Sequence, residues 1–335
     1  MTNIGNIWLW SGFISFVVVA IALDLRGVRR HEDEVVSFQQ ALWWSLLWIG
    51  LALVFCAGLW WWLDVTAGRA IANQKAGEFL TGYVIEESLS FDNLFVFLMI
   101  FRSFRLPPVL QREAIVIGVV GAIVLRVIMI LIGAWLIVKF HWLLYLFGVF
   151  LLITGVRLLV LAEAPPDLEN NPVLRWMRRH LRVTSDYRGL HLWVHEAGYR
   201  FYTPLFLVVV LIGVTDIVFA VDSIPAIFAI TTDPFIVVSS NLFAVLGLRA
   251  LFFLLAGMAE KFHLLRYGLA LVLAFIGVKM LLMDVYKIPI AVSLGVVLTL
   301  LLASILASLW ANAERSGIRK RASNERTGPH RHDSN

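Results

Sequence analysis

The sequence predicts an all-α polytopic membrane protein of about nine transmembrane helices, built on an inverted three-plus-three helix repeat. Three observations carry this expectation. Hydrophobic residues make up 60% of the 335 and charged residues only 15%. Apolar runs long enough to cross hydrocarbon recur from one end to the other. Two of those runs carry the same costly arrangement of acids, "EESLSFDN" at 86–93 and "DIVFAVDS" at 216–223. The composition excludes an ordinary soluble domain. A membrane barrel needs short alternating segments, which do not dominate here.

Taken in order, the spans fall at about 7–25, 40–63, 79–101, 114–138, 142–162, 203–230, 235–258, 264–284 and 288–310, all within a transmembrane domain over 1–310. The first run is followed, not preceded, by Arg26, Arg29 and Arg30, which marks a retained span with its N-terminus outside rather than a signal peptide. The segment 163–201 is a positively charged cytoplasmic loop, within which "PVLRWMRRHLRV" can form a basic amphipathic helix on the membrane surface. Residues 311–335 read as a basic, disordered cytoplasmic tail. The connections after the first, third, fifth and seventh spans, with the tail, hold 20 of the 28 Lys and Arg; the opposite connections hold 4. The positive-inside rule then places the C-terminus in the cytoplasm and the N-terminus in the periplasm. The net charge of +5 reports this orientation, and no nucleic-acid partner is implied. The partner that this composition implies is the lipid bilayer. Cys56 is the single cysteine, so neither a disulfide framework nor a thiolate metal site can be built, and the eight histidines lie near span ends, in loops or in the tail.

The two acidic stretches share one plan: an acid, five residues, an acid, then a small polar residue. They align Glu86, Asp92 and Asn93 with Asp216, Asp222 and Ser223 at an offset of 130. Downstream, "IVLRVIMIL" matches "LGLRALFFL", setting Arg126 against Arg249. "KFHWLLYLF" and "ITGVRLL" match "KFHLLRYGL" and "FIGVKML" at an offset of 122, which aligns His141 with His263, Tyr145 with Tyr267, Gly155 with Gly277 and Arg157 with Lys279. Repeat one runs over about 79–162 and repeat two over about 203–284. Each unit has three spans, an odd number, so consecutive copies enter the membrane from opposite sides. Folds of that kind bind substrate near the midplane, at the repeat interface and on broken helices.

Residues six apart on an unbroken helix point about 240° apart. Glu86 and Asp92, or Asp216 and Asp222, converge only if the helix is interrupted; otherwise the two acids serve neighbouring sites. Pro225 supplies a cause in the second repeat, because it frees the carbonyl of Val221. In the first, Ser88, Ser90 and Asn93 lower helix propensity. An ionised acid near a span centre costs roughly 2.5–3.5 kcal/mol, so four unpaired ones cost on the order of 10 kcal/mol. Arg126 and Arg249 supply two positive charges as counter-ions. A buried ion-pair network holding the bundle together is the alternative, but it leaves four acids opposed by two arginines. An oxygen-rich cage for a divalent cation accounts for the excess. Carboxylates, Asn93 and Ser223 are hard donors suited to magnesium, calcium or manganese. Glu87 is a weaker candidate, since Ile217 takes its place in the second repeat.

"GYVIEESLSFDNLFVF", "DIVFAVDSIPAIFAITTDPFIVVSSNLFAVLGLRALFFLLAG" and "IGVKMLL" resemble the TerC (tellurite resistance protein C) family of integral membrane proteins, nearest its bacterial Alx branch, which is associated with alkaline response. The likeness runs over about residues 1–310. It implies an inner-membrane location and manganese export, with Glu86, Asp92, Asp216 and Asp222 on the ion pathway. Together these readings describe a secondary transporter rather than an enzyme, with no bound cofactor and Mn²⁺ as cargo. The chain has no nucleophile paired with a base, no dinucleotide motif and no phosphate loop. The alternative is a membrane accessory protein that supplies metal to exported proteins or acts in a stress or tellurite-resistance complex.

Overall fold

The structure, a computed structural model, describes residues 4–30, 37–160, 171–196, 198–256 and 264–326; the side chains at 24–30, 92, 255–256 and 313–326 lie outside that description. The element order is α1 (Ile7–Arg30), α2 (Phe38–Thr66), α3 (Arg69–Ser103), α4 (Pro108–Lys139), α5 (Leu143–Val160), α6 (Pro172–His180), β1 (Trp193–Glu196), β2 (Tyr199–Tyr202), α7 (Pro204–Phe228), α8 (Pro234–Ala256), α9 (Leu265–Leu281) and α10 (Ile290–Arg326). Each of the nine apolar runs read from the sequence overlaps a helix among the described residues. Among the described residues, six helices are long and apolar enough to cross a membrane by length and composition: α2, α4, α5, α7, α8 and α10.

Local chemistry sets the helix ends. Ser37 and Gln40 form a reciprocal capping box at the start of α2. Only Ala67 and Gly68 separate α2 from α3. Gly68 adopts φ 92°, a conformation that a side chain would disfavour, and so turns the chain back into an antiparallel pair. Pro108, Pro172, Pro204 and Pro234 each open a helix at its first turn, where no amide bond is lost. Asn171 caps α6 by accepting from the amides of Val173 and Leu174. This is the amphipathic helix expected at 172–183, and it packs against α7. The loop also carries an antiparallel β1–β2 hairpin, with Trp193 opposite Tyr202, which the sequence reading did not anticipate. Tyr187 donates to the carbonyl of Phe104 at 2.8 Å and ties this loop to the end of α3. The helix α10 continues to Arg326, into the segment expected as tail; residues 327–335 lie outside the description.

The middle of the bundle is α8. In it, 94% of the most apolar window is buried, against 17–44% in the other spans. It is wrapped by α1, α2, α3 and α4. Phe13, Phe55, Phe79, Phe235 and Phe243 lock α1, α2, α3 and α8 together, with ring centroids 4.9 Å apart for Phe55–Phe243 and 5.2 Å for Phe55–Phe79. The outer surface is apolar, as at Val138, Val54 and Leu306, and suits hydrocarbon rather than water.

The helices α5 and α9 pack along glycines. A β-carbon on Gly155 would lie 2.7 Å from Ala270 O and Ala274 N, and one on Gly277 would lie 2.7 Å from Gly148 O and Leu152 N. The backbones touch directly, and backbone cannot move aside. Gly277→Ala is therefore expected to destabilise the protein by about 1–3 kcal/mol. The control is Gly58→Ala, where a β-carbon meets nothing within 4 Å. Thermal unfolding in detergent reads the difference; equal melting of the two variants would contradict the backbone contact.

Candidate metal centre

At the centre of the bundle the guanidinium of Arg126, on α4, is fully buried. Its Nη1 makes an ion pair with Glu86 on α3, and its Nη2 lies 3.1 Å from Asp216 Oδ1 on α7. Nη1 also donates to Asn241 Oδ1 on α8 at 3.2 Å. One arginine thus joins four helices and the first acid of each acidic stretch. Glu86 is 1% exposed and Asp216 2%, so the charges meet away from solvent, where each depends on the other.

Both helices run unbroken through the acidic stretches, contrary to the expected interruptions. Pro225 stands in the last turn of α7, so its missing amide bond costs little continuity. The consequence is geometric. Asp222 lies on a different face of α7 from Asp216 and is only half-buried. The residue that shares a face with each first acid is the small polar one seven positions on, about two turns away. Asn93 stands in that relation to Glu86, and Ser223 to Asp216; both are buried, at 1% and 2% exposure. Asp92 belongs to α3, but its side chain lies outside the described ones. Arg249 sits half-buried on α8. Glu87 turns away from Arg126, toward α2 and α8, with its Oε1 3.7 Å from where Gly247 would carry a β-carbon.

Among the described residues, Ser90 Oγ, both polar atoms of the Asn93 amide, Asp216 Oδ2 and Ser223 Oγ are buried without a hydrogen-bond partner. Buried polar atoms are nearly always paired, so each of these has hydrogen-bonding capacity left over. The donors are carboxylate, amide and hydroxyl oxygens, the set that hard divalent cations prefer. Asn241 was missed in the sequence. The signal was present as "SSN" at 239–241 inside an apolar span, and the structure buries all three residues completely.

A second polar cluster was also missed. Glu78, on α3, accepts from Lys75 Nζ at 2.9 Å, from Gln74 Nε2 at 2.9 Å and from Thr231 Oγ1 at 2.6 Å. Lys75 Nζ also lies 3.4 Å from Asp233 Oδ2. The spacing of Glu78 from Glu86, eight residues on one helix, was the available signal.

The integral membrane protein TerC family model matches residues 71–316. A Salmonella typhi protein named "Putative membrane-bound redox modulator Alx" is 51% identical over 315 residues, covering 94% of this chain and 98% of the relative. The protein of the same name in Escherichia coli (strain K12) is 52% identical over 312 residues, covering 93% and 97%. A Myxococcus xanthus membrane protein is 48% identical over 307 residues, covering 92% and 93%. No solved structure matches the chain. With a family model spanning most of its length and half-identical relatives along nearly all of it, the chain belongs to the TerC family of integral membrane proteins.

Proposed function

We propose that the protein is a secondary transporter that exports divalent cations, manganese foremost, across the bacterial inner membrane. The observation that carries this reading is the buried junction of Glu86, Arg126 and Asp216, with unpartnered oxygens of Asn93 and Ser223 on the same helix faces. In the cation-free site Arg126 is the internal counter-ion. An entering divalent cation competes with the guanidinium for the two carboxylates, so binding and rearrangement of the arginine are one event. In this reading Asp92 and Asp222 belong, as ligands, to the same ion pathway, with Arg249 as a second counter-ion. The relatives' name speaks of redox modulation. This chain has one cysteine, Cys56, which is buried, so no disulfide can close within it.

The reading includes nine membrane crossings (α1 to α5 and α7 to α10), with the N-terminus periplasmic and the C-terminus cytoplasmic. It also includes the inverted repeat. The α5–α9 contact supports it: adding 122 maps Gly148, Leu152 and Gly155 onto Ala270, Ala274 and Gly277. Gly155 touches the images of the two residues that Gly277 touches. A contact that maps onto itself under exchange of the two halves is what a pseudo-two-fold axis produces.

Three outcomes are expected. In proteoliposomes loaded with a manganese-sensitive dye, Glu86→Gln and Asp216→Asn each reduce Mn²⁺ flux by about tenfold or more, because each removes a charge from the shared site. Loss in one variant with wild-type flux in the other, at equal reconstitution, would rule out a site shared by both repeats. Arg126→Ala strands two buried carboxylates and lowers stability by about 3–5 kcal/mol, and Arg126→Lys does not restore the fork. Its abundance in membranes is expected to fall well below that of Arg178→Ala, a change on α6; matching abundances would mean that the guanidinium contributes nothing to the bundle. In intact cells a membrane-impermeant thiol reagent labels Asn73→Cys but labels Ser334→Cys only after permeabilisation. The reverse pattern would invert the topology.

A further inference from the structure

A polar stripe leads outward along α3 from the central site. Counting back from Glu86, Gly82 and Glu78 follow at four-residue steps and stay on nearly the same face, with Glu78 about 12 Å away along the axis. The way between them is narrow. A β-carbon on Gly82 would lie 2.7 Å from Ile227 Cδ1 and 3.0 Å from Ser240 Oγ, so Ile227 fills the notch that the glycine leaves. Beyond Ile227 the stripe ends at the cluster of Lys75, Glu78, Thr231 and Asp233, which lines a cavity of about 1020 Å³. The cavity lies at the end of the bundle opposite the basic loops, between the start of α3 and the α7–α8 and α9–α10 connections.

The cluster has the form of a closure. Lys75 is a long flexible side chain whose ammonium bridges Glu78, on α3, to Asp233, on the α7–α8 connection. Its side chain is 8% exposed, yet it borders the cavity, so the ammonium can swing out without displacing backbone. Asp233 is held in place by the amides of Phe235 on Oδ1 and Ile4 on Oδ2, both at 3.0 Å. Thr231 donates to the same Glu78 oxygen that Lys75 contacts. The bridge therefore clips the connection that directly follows Ile227, in the last turn of α7, to the helix carrying Gly82. Lys279 and Lys287 line the same cavity. Their charge disfavours a cation lingering there, as suits an exit rather than a binding site.

We infer that the Lys75 bridge between Glu78 and Asp233 is the outer gate of the cation path, with Ile227 as its plug. This rests on the transport reading above, in which the central site is where the cation waits. Release of Lys75 from the two carboxylates frees the α7–α8 connection, withdraws Ile227 from the Gly82 notch and opens the central site to the cavity. In the resting protein the ammonium is a tethered cation that keeps the carboxylates neutralised and the path shut.

The test is access from outside, and it requires no transport. Ser240→Cys, made in a Cys56→Ala background, places a thiol beside the Gly82 notch. In the full-length protein in sealed vesicles of known orientation it is expected to resist a membrane-impermeant thiol reagent. Lys75→Gln is expected to raise its labelling rate roughly tenfold, as when a closed-to-open ratio falls from about 99:1 to about 9:1. Lys75→Arg, which keeps the bridging charge, is expected to retain protection. Because Lys75→Gln leaves two carboxylates facing each other, the charge-balanced Lys75→Gln/Glu78→Gln variant is run beside it and is expected to label as fast. Unchanged labelling in a folded variant of either kind overturns the gate. Loss of protection in Lys75→Arg equal to that in Lys75→Gln overturns it as well. Absence of manganese flux with the labelling pattern intact would reject the transport reading and leave the gate standing.

Discussion

Everything in the middle of this bundle depends on one constraint: a guanidinium cannot stay in a dry interior without anions, nor the anions without it. Arg126 has no exposure to solvent, and its partners come from three other helices. That single requirement sets how α3, α4, α7 and α8 are rotated about their axes. Hydrophobic burial cannot do this in lipid, because tails are as apolar as the side chains they would replace. Polar contacts and close backbone approach set the arrangement instead: the arginine junction in the centre and the glycine contacts between α5 and α9.

The same economy explains why a cation site and a stabilising ion pair are not competing accounts. A site that must accept two positive charges and then give them up needs a substitute cation between turns. A mobile proton is one solution and a tethered arginine is another. In the proposed transport reading Arg126 holds Glu86 and Asp216 together until a divalent ion takes its place. In the same reading Lys75 repeats the device beside the cavity, on a flexible side chain that adjoins open space.

Much of this was legible in the sequence, because hydropathy and spacing are local properties. Each apolar run overlaps a described helix, and six of these are long and apolar enough to span, as burial in lipid requires internally satisfied backbone over about 20 residues. The repeated acids and the paired arginines were visible as departures from that apolar background. The amphipathic helix α6 followed from its own periodicity and its cap at Asn171.

What only the tertiary structure decided is which polar groups meet. Arg126 and Asp216 lie 90 residues apart, and Thr231 and Glu78 lie 153 apart. Nothing local in the chain specifies such pairings, because they depend on how helices are turned against one another. The expectation of broken helices failed for the same reason. Interruption was one of two readings of the acid spacing, the other being acids that serve neighbouring sites; the unbroken helix turns residues six apart to different faces and brings Asn93 and Ser223 into line with Glu86 and Asp216. Asn241 drew no notice in the sequence, and Lys75 counted only among the few charges of the less basic connections. Their roles exist only where helices distant in sequence bring a carboxylate or a guanidinium within about 3 Å of them.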